Sequence, residues 1–148
     1  MKKILSLVLF FAVTASIFAS EGTTVDSKIE KALLKSFAGA KHITWQTISG
    51  EKIHQATFIY NEQRLNAFFD ADGTLLATGR SISENTLPLL VSRKISEKFE
   101  SFDIKDITEY VKGNETNYLI TMENDKYKLV VDASITGATS VFKKEKKN

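Results

Sequence analysis

Arg64-Leu65-Asn66-Ala67-Phe68-Phe69-Asp70-Ala71-Asp72-Gly73-Thr74-Leu75-Leu76 reads as a strand, a tight turn and the start of a strand running back. Leu65, Ala67 and Phe69 are spaced two apart, so a pleated strand puts all three on one face. Asp72-Gly73 supplies the positive φ that a hairpin needs, as a two-residue turn or as a type I turn closed by a glycine bulge. A weaker copy, Lys126-Tyr127-Lys128-Leu129-Val130-Val131-Asp132-Ala133, follows later in the chain.

Working back from this hairpin, Asn61-Glu62 reads as a two-residue turn joining strands over 52–60 and 63–70. Phe58 then lies opposite Leu65 and Ala56 opposite Ala67, on the side of Phe69. Gln55, Thr57, Ile59, Arg64, Asn66 and Phe68 take the other side. A one-residue slip would mix the two sets, so the hydrophobic pattern fixes the register. A strand over 41–48 adds Ile43 and Trp45 to the inner side, and a strand over 74–80 completes a four-stranded meander. Val25, Ile29, Leu33 and Phe37 recur every four residues, which predicts a helix over 25–37 capped by Asp26 or Thr24 and stopped at Gly39.

The second half repeats the pattern. Leu87, Val91, Ile95 and Phe99 recur every four residues in a helix within 83–99. Leu87-Pro88 marks its start, with Pro88 suited to the first helical position. Strands are predicted over 104–111, 116–123, 126–132 and 137–142, with a turn at Asn124-Asp125 or one residue earlier. Gly137 takes the turn role of Gly73, displaced by two residues. Phe37 to Phe99 and Phe69-Asp70-Ala71 to Val131-Asp132-Ala133 give a period of 62. The expectation is an α+β protein in which a helix plus a four-stranded antiparallel meander is duplicated in tandem. Its helices would lie on one face of the sheet, in two layers. The predicted division is 1–19, 20–82 and 83–148, the last two forming one compact body.

Residues 1–19 read as an export signal. Lys2 and Lys3 precede the apolar run 4–13, and Ile17-Phe18-Ala19 precedes a cut. Without Lys2 and Lys3 the formal net charge falls from +2 to zero, so the basic pI of about 8.7 marks no nucleic-acid footprint. Lys143-Lys144-Glu145-Lys146-Lys147 is the only basic cluster and reads as a solvated tail. The absence of cysteine removes disulfides, thiolate catalysis and Cys–metal sites together. A periplasmic or secreted chain of this length then depends on its packed core.

Two stretches resemble a known family. Ser36-Phe37-Ala38-Gly39-Ala40-Lys41-His42-Ile43-Thr44-Trp45, followed by Ala67-Phe68-Phe69-Asp70-Ala71-Asp72-Gly73-Thr74-Leu75-Leu76, resembles the exported PepSY-like domains of Bacteroidetes. The resemblance runs from about residue 25 to 143 and includes Leu87-Pro88. It departs from the family pattern at Ala38, where a proline is usual, and in the second copy, which lacks the Asp-Gly turn. It implies a β-lactamase-inhibitor-protein-like fold and no defined activity.

The chemistry is sparse. His42 and His54 are expected near Phe58 and Gln46 respectively, on opposite faces, a poor metal pair. Asp70-Ala71-Asp72-Gly73 mimics half of a calcium loop, but the twelfth position is Ser81 instead of an acid. No nucleophile–base motif and no carboxylate in an apolar setting stands out, so neither an enzyme nor a cofactor or metal site is expected. Trp45 is expected in the core. Ile59, Phe68, Leu119 and Val130 face away from the helices, among Gln55, Thr57, Arg64, Asn66, Thr121 and Lys128. The leading expectation is an exported binding module that recognises a protein or peptide, as an inhibitor does, through Gln55, Thr57, Ile59, Arg64, Asn66 and Phe68. The alternative is a carrier or sensor holding a small ligand in a cleft between sheet and helices.

Overall fold

The computed structural model describes residues 24–48 and 52–147; the export signal read in residues 1–19 lies outside them. The elements are α1 (Ser27–Ser36), β1 (Lys41–Ile48), β2 (Ile53–Tyr60), β3 (Gln63–Phe69), β4 (Leu75–Ser81), a 3-10 turn at Glu84–Thr86, α2 (Leu89–Lys98), β5 (Asp103–Lys112), β6 (Glu115–Glu123), β7 (Tyr127–Ser134) and β8 (Thr139–Lys146). The eight strands form one antiparallel sheet in chain order, β1 to β8. The fold is α+β.

The β2–β3 hairpin has the expected register, with Phe58 opposite Leu65 and Ala56 opposite Ala67. Asn61 and Glu62 take φ of 48° and 64°, the paired positive values of a type I′ turn. The β1–β2 register differs by one residue from expectation. Gln46 faces Gln55 and Thr47 faces His54, with an irregularity between Lys41 and Thr44. His42 sits inside it at φ 53°, and the extra residue moves every later pair by one. This register brings Trp45 opposite Ala56, on the inner side.

The described residues fall into two compact units. One is 24–80 with Val111–Asn114; the other is Ser81–Tyr110 with 115–147. In the first, Asp26 caps α1 by accepting the Lys28 N–H at 2.8 Å. Ile29 and Leu33 bury against Ala56, Phe58, Ala67 and Phe69. Phe37, Ile43, Trp45 and Tyr60 pack around that centre, with the Trp45 and Phe69 rings 6.0 Å apart. In the second, Val91 and Ile95 bury against Ile107, Tyr118, Ile120, Met122, Leu129 and Val131. Each unit thus sets one amphipathic helix on one face of its own strands.

Pro88 is the cap of α2 and not its first helical residue. Its ψ of 138° is extended, and helical geometry begins at Leu89 after the separate 3-10 turn. The β6–β7 turn also lies later than expected, between Asn124 and Tyr127. The Asn124 side chain accepts both the Lys126 and Tyr127 N–H groups and fixes it there. The shift is even-numbered in register, so Tyr118, Ile120 and Met122 keep their inward parity.

Candidate functional site

The six residues singled out on the second face of the first unit form three directly opposed pairs: Gln55 with Phe68, Thr57 with Asn66, and Ile59 with Arg64. Cross-strand partners share a face, so the six are contiguous. Asn66 is their hub. Its Oδ1 accepts the Thr57 hydroxyl at 2.7 Å and the Gln55 amide at 3.1 Å. With the carbonyl end so engaged, the Asn66 amide group is turned away from both donors. Gly79 lies opposite Asn66 on β4 and adds no side chain beside it.

Exposure divides the six. Arg64 is exposed, and Thr57, Ile59 and Asn66 are half-buried. Gln55 is 5% exposed and Phe68 0%. Phe68 is therefore a buried side chain and not an accessible anchor, a correction to its expected place in an open patch. Leu119 and Val130, expected on the open face of the second unit's corresponding strands, are also buried. Strand parity tells which face a residue takes; its exposure depends on what lies over that face, which parity does not encode.

The second unit carries a polar cluster that the sequence did not reveal. Tyr110 donates its hydroxyl to both oxygens of Asp132, at 3.2 and 3.1 Å, and Asn117 donates to Asp132 Oδ1 at 3.2 Å. Burial, and then the Asp132 charge, push the Tyr110 hydroxyl well above the usual phenol range. Asp132 pairs with Leu119 and Ser140 inside the sheet, so the Val131-Asp132-Ala133 echo of Phe69-Asp70-Ala71 is strand and not turn. A Tyr on β5 whose partner Asp lies on β7, 22 residues later, leaves no short motif to read.

The turn after β3 uses its acid structurally. Asp70 Oδ1 accepts the Asp72 and Thr74 N–H groups, both at 2.9 Å, and Gly73 closes the turn at φ 81°. This is the glycine-bulge alternative of the two turns weighed from sequence. Ser81 lies at the end of β4 with its hydroxyl 3.3 Å from Asp106. His42 is exposed in the β1 irregularity, while His54 Nδ1 is 3.2 Å from the Thr47 hydroxyl. Among the described residues no three His, Cys, Asp or Glu side chains gather as a metal site. No described helix is long and apolar enough to cross a membrane.

Known structures share this fold. A BLIP-like protein from Bacteroides fragilis matches 90% of this chain and 89% of its own, at 21% identity and a TM-score of 0.71. A DUF2874 family protein from Bacteroides ovatus covers 84% and 89%, at 16% identity and a TM-score of 0.74. A candidate periplasmic protein from Bacteroides eggerthii covers 83% and 89%, at 15% identity and a TM-score of 0.72. At these identities the likeness defines a fold, the BLIP-like one. No protein-family profile matches the chain, and no curated protein matches it in sequence.

Proposed function

We propose that this chain is an exported, non-enzymatic binding module that recognises a protein or peptide partner. Recognition would run through the β2–β3 face of the first unit, in the manner of an inhibitor. The observation that carries this reading is the Thr57–Asn66 and Ile59–Arg64 pairing. It sets an aliphatic group, a guanidinium and an oriented amide side by side on rigid strands. Such a mix of apolar and polar groups, fixed in advance, lowers the ordering cost of association. Phe68 and Gln55 serve as the floor beneath these four. Export is supported by the lysine-plus-apolar start of the chain and by the candidate periplasmic protein of the same fold. A PepSY-like ancestry and a tandem duplication belong to the same reading. In support, Phe37 and Phe99, 62 residues apart, close their helices with the same bond, donating to the Leu33 and Ile95 carbonyls.

The test is capture of exported proteins by the chain and by an Ile59→Asp, Arg64→Glu variant, with circular dichroism as the folding control. Loss of a specific partner from the folded variant is expected. Retrieval of the same partners by both proteins would refute the reading. Phe68→Ala is unsuited to this test, because emptying a fully buried aromatic site costs about 3–5 kcal/mol of stability.

The alternative, a small-ligand carrier, gains no comparable support. The groove lined by Ser81, Ile82, Ser83, Glu84 and Ile104 to Ile107 is open and largely polar, unlike the enclosed apolar sites that hold such ligands.

A further inference from the structure

Lys143, Lys144, Glu145 and Lys146 belong to β8, the last strand in the sheet order, and are not a frayed tail. Beyond the strand, the Lys147 N–H still donates to the Lys126 carbonyl. That bond fixes which backbone groups β7 engages. Lys128 with Glu145 and Val130 with Lys143 are then hydrogen-bonded pairs. Tyr127 with Lys146 and Leu129 with Lys144 are the alternate pairs, whose backbone groups point away from each other. The Tyr127 carbonyl agrees, since it accepts the Asn124 N–H on its other side. The N–H and C=O groups of Lys144 and Lys146 therefore face the free edge, beyond which no strand lies among the described residues.

The side chains divide by face. Lys143 and Glu145 share one face and pair at 2.7 Å, and Lys147 reaches Glu123 at 3.3 Å. Lys144 and Lys146 take the other face, the one Leu129 presents to α2. Lys144 stands 4.1 Å over the Tyr127 ring, and neither lysine has an ion pair among the described residues. Lys98 of α2 donates to the Thr139 hydroxyl at 2.8 Å and brings a third positive charge to that side.

We propose that the β8 edge takes up an extended segment of another exported protein as an added strand, one with acidic side chains at alternate positions. Strand addition draws its affinity from main-chain hydrogen bonds and its selectivity from every second side chain. On β8 the same two residues supply both. A residue opposite Lys144 in an added antiparallel strand exchanges both backbone bonds with it, and their Cβ atoms stand about 5 Å apart. A carboxylate there meets an ammonium group that no acid of this chain has taken. The next residue but one meets Lys146 in the same way. Edge lysines disfavour uncharged and basic strands, so the charges that admit an acidic segment exclude others. Val141, 49% exposed on the same face, offers the segment an apolar contact. This edge lies in the second unit, and its use is independent of the β2–β3 face.

The test is fluorescence anisotropy of a labelled peptide of valine and threonine with two glutamates at alternate positions. Three companion peptides carry glutamine for glutamate, the two glutamates side by side, or N-methyl groups on alternate amides. The parent peptide should bind, and each companion should bind more weakly, by about tenfold for glutamine. A Lys144→Gln, Lys146→Gln variant should also lose about tenfold in affinity for the parent peptide. A Lys31→Gln, Lys35→Gln variant on α1, with the same change in net charge, should bind as the unaltered protein does. Equal binding of any companion, or undiminished binding by the β8 variant, overturns the proposal. So does failure of the parent peptide to bind at millimolar concentration, or capture of phosphatidylglycerol vesicles in its place. Should the β8 variant fail to fold, the four peptides on the unaltered protein still decide.

Discussion

The turns Asp70–Thr74 and Ser134–Ala138 have the same backbone and different chemistry. In both, the first N–H donates to the fifth residue's carbonyl, and a glycine N–H donates back to the first residue's carbonyl. Gly73 and Gly137 take nearly the same φ, 81° and 82°. The first turn is held by a carboxylate oxygen that accepts two N–H groups at 2.9 Å. In the second, the Ser134 hydroxyl accepts one, from Ala138, at 3.2 Å. One geometric demand is thus met at two strengths, and the helix below sets the remaining difference. A Cβ on Gly73 would meet Ala32 and α1 backbone at 3.5 Å or more, an ordinary contact. One on Gly137 would come within 3.0 Å of Lys94 and 3.4 Å of Leu90 on α2.

The cores differ in the same graded way, and the largest predicted effect lies there. Phe58 and Ile120 occupy corresponding places on β2 and β6, each 1% exposed or less. The Phe58 ring packs tilted against Phe37 at 4.9 Å, whereas Ile120, in a cluster with Val91, Ile95, Phe99 and Val131, brings no ring of its own. Phe58→Ala should cost about 3–5 kcal/mol in chemical denaturation, and Ile120→Ala about 2–5. An undisturbed denaturation midpoint for either would break the assignment of that unit's core.

Next come the glycines. Gly73→Ala should cost about 1–2 kcal/mol through its left-handed backbone alone. Gly137→Ala should cost more, since Lys94 must also give way. Equal losses would show that the closer approach at Gly137 relaxes freely. The smallest effects belong to the turn acceptors. Asp70→Ala should lose about 1–2 kcal/mol and Ser134→Ala about half of that, on the scale of side chains that satisfy backbone N–H groups. A reversed order would mean that the hydrogen bonds do not set the strength of these turns.

Much of the fold was legible because its signals are local. The four-residue stripes of the two helices and the alternation around Asn61-Glu62 each need only a short window of sequence. The β1 register was not legible, because the residue that shifts it, His42, looks like any other strand residue until its φ is known. The end of β8 was misread for a different reason. Charge runs usually mark solvated tails, and lysine gives no apolar alternation even where β7 holds the chain in register. At the candidate site, the grouping of Thr57, Ile59, Arg64 and Asn66 followed from parity. The burial of Phe68 and the Tyr110–Asp132 cluster depend on contacts between residues distant in sequence.

The central claim is that recognition belongs to the β2–β3 face of the first unit. It is tested most directly by amide hydrogen exchange on the chain with and without its captured partner. The account predicts added protection over Ile53–Phe69, centred on Thr57, Ile59, Arg64 and Asn66, with little change over β6 and β7. Protection confined to β6 and β7, or to the exposed surfaces of the helices, would contradict it.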